Sequence, residues 1–99
     1  MMRPTFEWDE AKNQRNRLRH RLSFAEAQRL FESDGRYLEI FDAEHSELED
    51  RFIAIGPIDR GTIVVVYAEP EDDVVRIISA RFATQRERNL LRRYMDSFR

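Results

Sequence analysis

The chain has no cysteine among its 99 residues. That excludes a disulfide framework, a cysteine-held metal and a thiol nucleophile. Packing alone must hold the fold, which suits a reducing compartment. Histidine is scarce, with only His20 and His45 present. Few side chains can therefore exchange a proton near neutrality. Long apolar runs are also missing. The longest, Thr62 to Ala68, is far too short to span a bilayer. The opening segment, Met1 to Trp8, lacks the apolar stretch of a signal peptide. The expectation is a single domain over residues 1–99, soluble and cytoplasmic, without membrane contact or cofactor.

Lysine is nearly absent: Lys12 is the only one, and the other basic residues are arginines. Arginine forks match phosphate and stack on bases; a GC-rich genome would produce the same bias. The formal net charge is -2, which by itself speaks against a nucleic-acid binder. The distribution speaks for one. Residues 11–30 carry Lys12, Arg15, Arg17, Arg19, Arg21 and Arg29 against Glu26 alone. Residues 81–99 carry six arginines against Glu87 and Asp96. Residues 31–50 carry eight acids against Arg36. Such segregation predicts a molecule with a basic region and an acidic one.

Phe6 and Trp8 alternate with Glu7 as in a short strand. Asp9 suits a helix cap, and the helix runs to about His20 with a weak apolar stripe. Ser23-Phe24-Ala25-Glu26 reads as a capping box opening a second helix through Phe31, which Asp34-Gly35 stops. Strands follow at Leu38–Ile40, Arg51–Ile55 (ended by Gly56-Pro57), Thr62–Tyr67 and Val74–Ala80. The β-branched run from Thr62 reads as central and buried on both faces. Thr84-Gln85-Arg86-Glu87 is a second capping box. The helix it opens is expected to bury Leu90, Leu91, Tyr94, Met95 and Phe98. Strands joined by short turns, with helices grouped apart, predict an α+β fold with a mainly antiparallel sheet, two N-terminal helices and one C-terminal helix.

Three segments in this order resemble the BrnT family of toxins. They are FEWDEAKNQRNRLRHRLSFAEAQRLFES, DAEHSELEDRFIAIG and VVVYAEPEDDVVRIISARFATQRERNLLRRY, which together span residues 6 to 94. The resemblance implies a RelE-like fold and a ribonuclease that stops translation. It also implies a cognate ribbon-helix-helix antitoxin, with operator DNA bound only through the toxin–antitoxin complex. Where the family has Lys-His-Gly before Ser-Phe, this chain has Arg19-His20-Arg21. The turn between the helices thus lacks a residue that takes φ > 0 freely, and a different shape is expected there.

Metal-free RNA cleavage needs a base for the 2′-OH, a cation for the phosphorane and a proton for the 5′-oxygen. Arg81 is the first candidate for the cation, closing a strand just before the helix cap at Thr84. Strict alternation puts it on one face with Ser79 and Ile77, and puts Arg76 on the other with Val74 and Ile78. Arg76 and Arg51 are further phosphate candidates. The alternative for Arg81 is a pair with Glu87, for Arg76 a pair with the acidic segment, and for Arg51 neutralisation of Glu47, Glu49 and Asp50. His20 and His45 would serve as acid and base if they met in space, and surface histidines otherwise. Glu87 is a proton acceptor or simply half of a helix cap. Lys12, Arg15 and Arg19 are candidate RNA contacts. Tyr67 and Tyr94 could stack a base, or belong to the core. Two other readings use the same residues: a non-catalytic nucleic-acid-binding or regulatory module, and a structural domain whose acidic 42–50 segment docks a basic partner.

Overall fold

The computed structural model describes residues 4–98. In chain order it has β1 (Thr5–Glu7), α1 (Glu10–His20), α2 (Phe24–Ala27), β2 (Leu38–Phe41), β3 (Asp50–Ile58), β4 (Gly61–Glu69), β5 (Val74–Phe82) and α3 (Gln85–Asp96). A 3-10 turn at Gln28–Glu32 extends α2, and another at Ala43–His45 follows β2. The five strands form one sheet in the order β1-β5-β4-β3-β2. The sheet is mixed: β2 to β5 pair antiparallel, whereas β1 lies parallel to β5.

The local signals explain the helix starts. Asp9 accepts from the Lys12 backbone N–H and caps α1. Thr84 and Glu87 complete both halves of their capping box. At Ser23 the hydroxyl caps α2, but the Glu26 carboxylate turns away to accept from Arg60 at 2.7 Å. Arg21 adopts the left-handed conformation a glycine would take, with φ 56°. That conformation costs a non-glycine residue about 1–2 kcal/mol. Arg60 offsets it by donating twice to the Arg21 carbonyl, at 3.2 and 3.1 Å.

One face of the sheet carries the main core. Ala54, Ile63, Val65, Tyr67, Val75, Ile77 and Ala80 pack there against Leu22, Phe24, Ala27 and Leu30. Phe31 lies edge-on to both Tyr37 and Tyr67, and Tyr67 stacks on Phe52. β3 runs through Gly56-Pro57 instead of ending there. β2 has already stopped pairing at Ile55, so a residue without an N–H is tolerated beyond it. Gly56 is required at that point, because a Cβ would lie 2.6 Å from the Tyr37 Cβ.

Two faces differ from the sequence pattern. α1 buries Asn13 and Asn16, while its Leu18 is 87% exposed. α3 half-buries Leu91 against Ile55, Val64 and Ala83, but leaves Leu90 and Phe98 exposed. No helix among the described residues is long and apolar enough to cross a membrane.

Candidate functional site

Strand register decides where the arginines go. Arg51 pairs with Ala68, and Ala68 pairs with Arg76, so the two arginines flank Ala68 in one cross-strand row. Two strand spacings separate their backbones, about 10 Å. β5 then carries an extra residue. Tyr67 pairs with Ile77 but Val66 pairs with Ser79, which leaves Ile78 as a bulge. A bulge reverses the alternation beyond it. Arg76 and Arg81 therefore share one face, the face away from the main core, and Ile77 lies on the other. Strict alternation had divided Arg76 from Arg81.

Arg51 and Arg76 line a cleft of about 590 Å³ together with His45, Glu47, Leu48 and Glu49. Arg76 is neutralised there by Glu7 at 2.8 Å and Glu49 at 3.2 Å. Arg51 is not. Its Nε is buried without a hydrogen-bond partner, and none of the ion pairs among the described residues involves it. The alternative for Arg51, a pairing with Glu47, Glu49 or Asp50, finds no ion pair among the described residues. His45 is the only imidazole lining the cleft. Its Nδ1 lies 2.9 Å from Asp42 Oδ2.

The remaining candidates sort by position. Arg81 is farther along the same face, roughly 13 Å from the Arg76 row. Its Nη1 and Nη2 each donate to Glu87 at 2.7 Å, so its fork is filled. Glu87 also accepts from the Thr84 backbone N–H. The Arg81 guanidinium and that backbone bond hold the Glu87 carboxyl down to about 2, too low for proton exchange near neutrality. His20 does not meet His45. It ends α1, a full turn beyond Asn16, which is bonded at Ala80, away from the Arg76 row. Tyr67 is 1% exposed. Its hydroxyl donates to Glu39, and burial keeps the phenol protonated well above its ordinary range. It belongs to the core and cannot stack a base. Tyr94 is half-buried and edge-on to Phe98. Lys12, Arg15 and Arg19 are exposed on α1 at spacings of three and four, which is one helix face. None of them has an acidic partner among the described residues.

Asp42 and Ser46 were not singled out from the sequence, yet both organise the cleft loop. Ser46 Oγ donates to the Asp42 carbonyl and accepts from the Arg51 N–H. The His45-Ser46 pair was the available signal. A larger hollow of about 870 Å³ lies elsewhere, lined by Arg29, Arg36 and Asp59. It holds no histidine, and Arg29 faces Asp59 at 3.8 Å. Among the described residues no group of three or more His, Cys, Asp or Glu could hold a metal ion.

The family described as the ribonuclease toxin, BrnT, of type II toxin–antitoxin systems matches residues 8–87. Among solved structures, this chain is similar to the 1.1 Å crystal structure of the Brucella abortus ribonuclease toxin BrnT. The two share 28% identity and a TM-score of 0.64, covering 86% of this chain and 100% of that one. No curated protein matches the chain.

Proposed function

This chain belongs to the BrnT family of toxins of type II toxin–antitoxin systems, and from that premise we propose that it cleaves RNA in the cleft of His45, Arg51 and Arg76. Family membership also gives it an antitoxin partner. The finer reading is a metal-independent endoribonuclease of RelE-like fold that halts translation and growth in the cytoplasm. A ribbon-helix-helix antitoxin silences it, and operator DNA is bound only through their complex.

The observation that carries this reading is an arginine without an acidic partner, Arg51, in a cleft that it shares with the imidazole of His45. No acid among the described residues pairs with Arg51, so its charge is left to meet a phosphate in the cleft. In the reaction the 2′-oxygen attacks the adjacent phosphorus. A 2′-O–P bond forms and the P–O5′ bond breaks. His45 takes the 2′-OH proton, and Arg51 stabilises the charge gained by the phosphorane oxygens. Arg76, steadied by Glu7 and Glu49, orients the phosphate from the other side of Ala68. Water entering the open cleft protonates the departing 5′-oxygen. Lys12, Arg15 and Arg19 hold the RNA backbone farther away, and half-buried Tyr94 is the aromatic candidate left to stack a base. We assign Arg81 and Glu87 to fixing α3.

Induction of the chain alone should arrest growth and fragment RNA, and co-expression of the adjacent reading frame should reverse both. An RNA with a single 2′-deoxy residue at the cleaved position should bind but stay whole. Normal growth with abundant soluble protein would refute the toxin's activity. Binding without any cleavage would support the non-catalytic module instead.

A further inference from the structure

We propose that Asp42 is a positioning residue that fixes the tautomer of His45, within a closed clip that also carries Arg51; this rests on the RNA-cleaving reading above. An ionised carboxylate offers only acceptor sites. Its 2.9 Å contact with His45 therefore requires the proton on Nδ1. Nε2 is then the free ring nitrogen, and in the neutral ring it carries the lone pair a base needs. Asp42 does not line the cleft, and its side chain is 17% exposed against 61% for the ring. It stands behind the imidazole as a fixed support.

The clip is closed at both ends. The Asp42 N–H donates to the Arg51 carbonyl at 2.8 Å, and the His45 N–H to the Asp42 carbonyl at 3.3 Å. Ser46 Oγ bridges inside it, donating to the Asp42 carbonyl at 2.6 Å and accepting from the Arg51 N–H at 2.9 Å. One ten-residue loop thus carries a cation at its end and a ring held near its start. The charged groups around the ring are Asp42 and Glu44 on its own turn, Glu47 and Glu49 in the loop, Arg51 on β3 and Arg76 on β5. Among the described residues only Asp42 makes a direct contact with a ring nitrogen. An exposed imidazole–carboxylate pair adds little to folding, so the contact needs a reason other than stability. Holding a base in one tautomer supplies it.

Long-range proton–nitrogen NMR spectra of the full chain, recorded where the ring is neutral, read the tautomer directly. Nδ1 should carry the proton in the wild type. In Asp42→Asn the form protonated at Nε2 should rise, because a carboxamide can satisfy Nδ1 in either state. With an RNA oligonucleotide, Asp42→Asn should lower kcat about tenfold with KM unchanged. His45→Ala should cost about 10²-fold or more. A wild-type ring protonated at Nε2 overturns the proposal without any variant. An unchanged tautomer ratio or an unchanged kcat in Asp42→Asn overturns it too. Expected ring shifts in a wild-type chain that cleaves no RNA would sink the RNA reading itself, and with it any catalytic meaning for Asp42.

Discussion

Asn16 and Ala80 are joined by two hydrogen bonds that imitate strand pairing. The Asn16 carboxamide donates to the Ala80 carbonyl at 2.8 Å and accepts from the Ala80 N–H at 3.1 Å. β1 ends at Glu7, opposite Arg76, so β5 would otherwise have a bare edge at this point. A helix side chain completes the ladder. The same amide nitrogen also donates to the Leu22 carbonyl at 2.8 Å, which ties the helix connection to the sheet.

Asn16→Ala should therefore cost about 2–3 kcal/mol, since buried backbone groups lose their partners. Asn16→Asp should do no better, because a carboxylate cannot donate to two carbonyls. Urea unfolding midpoints of the three chains test this. A midpoint unchanged in Asn16→Ala would show that water replaces the amide without cost.

At Arg51, activity and stability should move in opposite directions. Removing one charge-stabilising donor lowers kcat by about 10²–10³-fold. Arg51→Met should do so while raising stability by about 1 kcal/mol, because an unsatisfied buried donor is removed. Arg51→Lys keeps the charge but not the fork, and should recover only part of the rate. Cleavage assays and denaturant curves on the same preparations are the check. Full activity in Arg51→Met removes it from the site.

The α1 face should act through salt-dependent binding. Replacing Lys12, Arg15 and Arg19 together by Ala removes up to three phosphate contacts. The slope of log affinity for single-stranded RNA against log salt should then fall by about 2, with kcat at saturating RNA unchanged. An identical slope means these cations do not touch RNA.

Glu87 should confer acid sensitivity. Its folded carboxyl lies near 2, below the ordinary 4.5, mainly through Arg81. A group with a depressed folded pKa stabilises above its unfolded value and loses that contribution as pH falls through the folded one. The Glu87 share of stability should be full above about 4.5 and fade towards about 2. Glu87→Gln should abolish that share, so the gap between the two chains closes in this window. A gap that stays constant from pH 5 to 2 contradicts the assignment.

Local signals were readable and distant ones were not. The caps at Asp9 and Thr84 act within one helical turn, so sequence order shows them directly. All five strands were marked by alternation or β-branching. The parallel pairing of β1 with β5 joins Glu7 to Arg76, and no local pattern encodes it. Asn13 and Asn16 look like solvent-facing polar residues; only the open edge at Ala80 and the Phe24 N–H explain their burial. At the site, residue types were informative but contacts were not. Arg51, Arg76 and His45 were candidates and share a cleft. Arg81 and Glu87 were candidates and satisfy one another. The buried Arg51 Nε could not be foreseen, because lack of a partner is a property of three dimensions.

The bulge at Ile78 makes the electrical sidedness of the sheet a matter of counting. Straighten β5 with every residue kept, and the half leading to Ile78 must slide by one pair. Arg76 would then stand opposite Glu69 instead of Ala68 and point into the aromatic packing around Tyr67, while Val75 and Ile77 would face the cleft. No exchange of side-chain chemistry would be involved. One extra link in the strand is what keeps Arg76 and Arg81 on the same side.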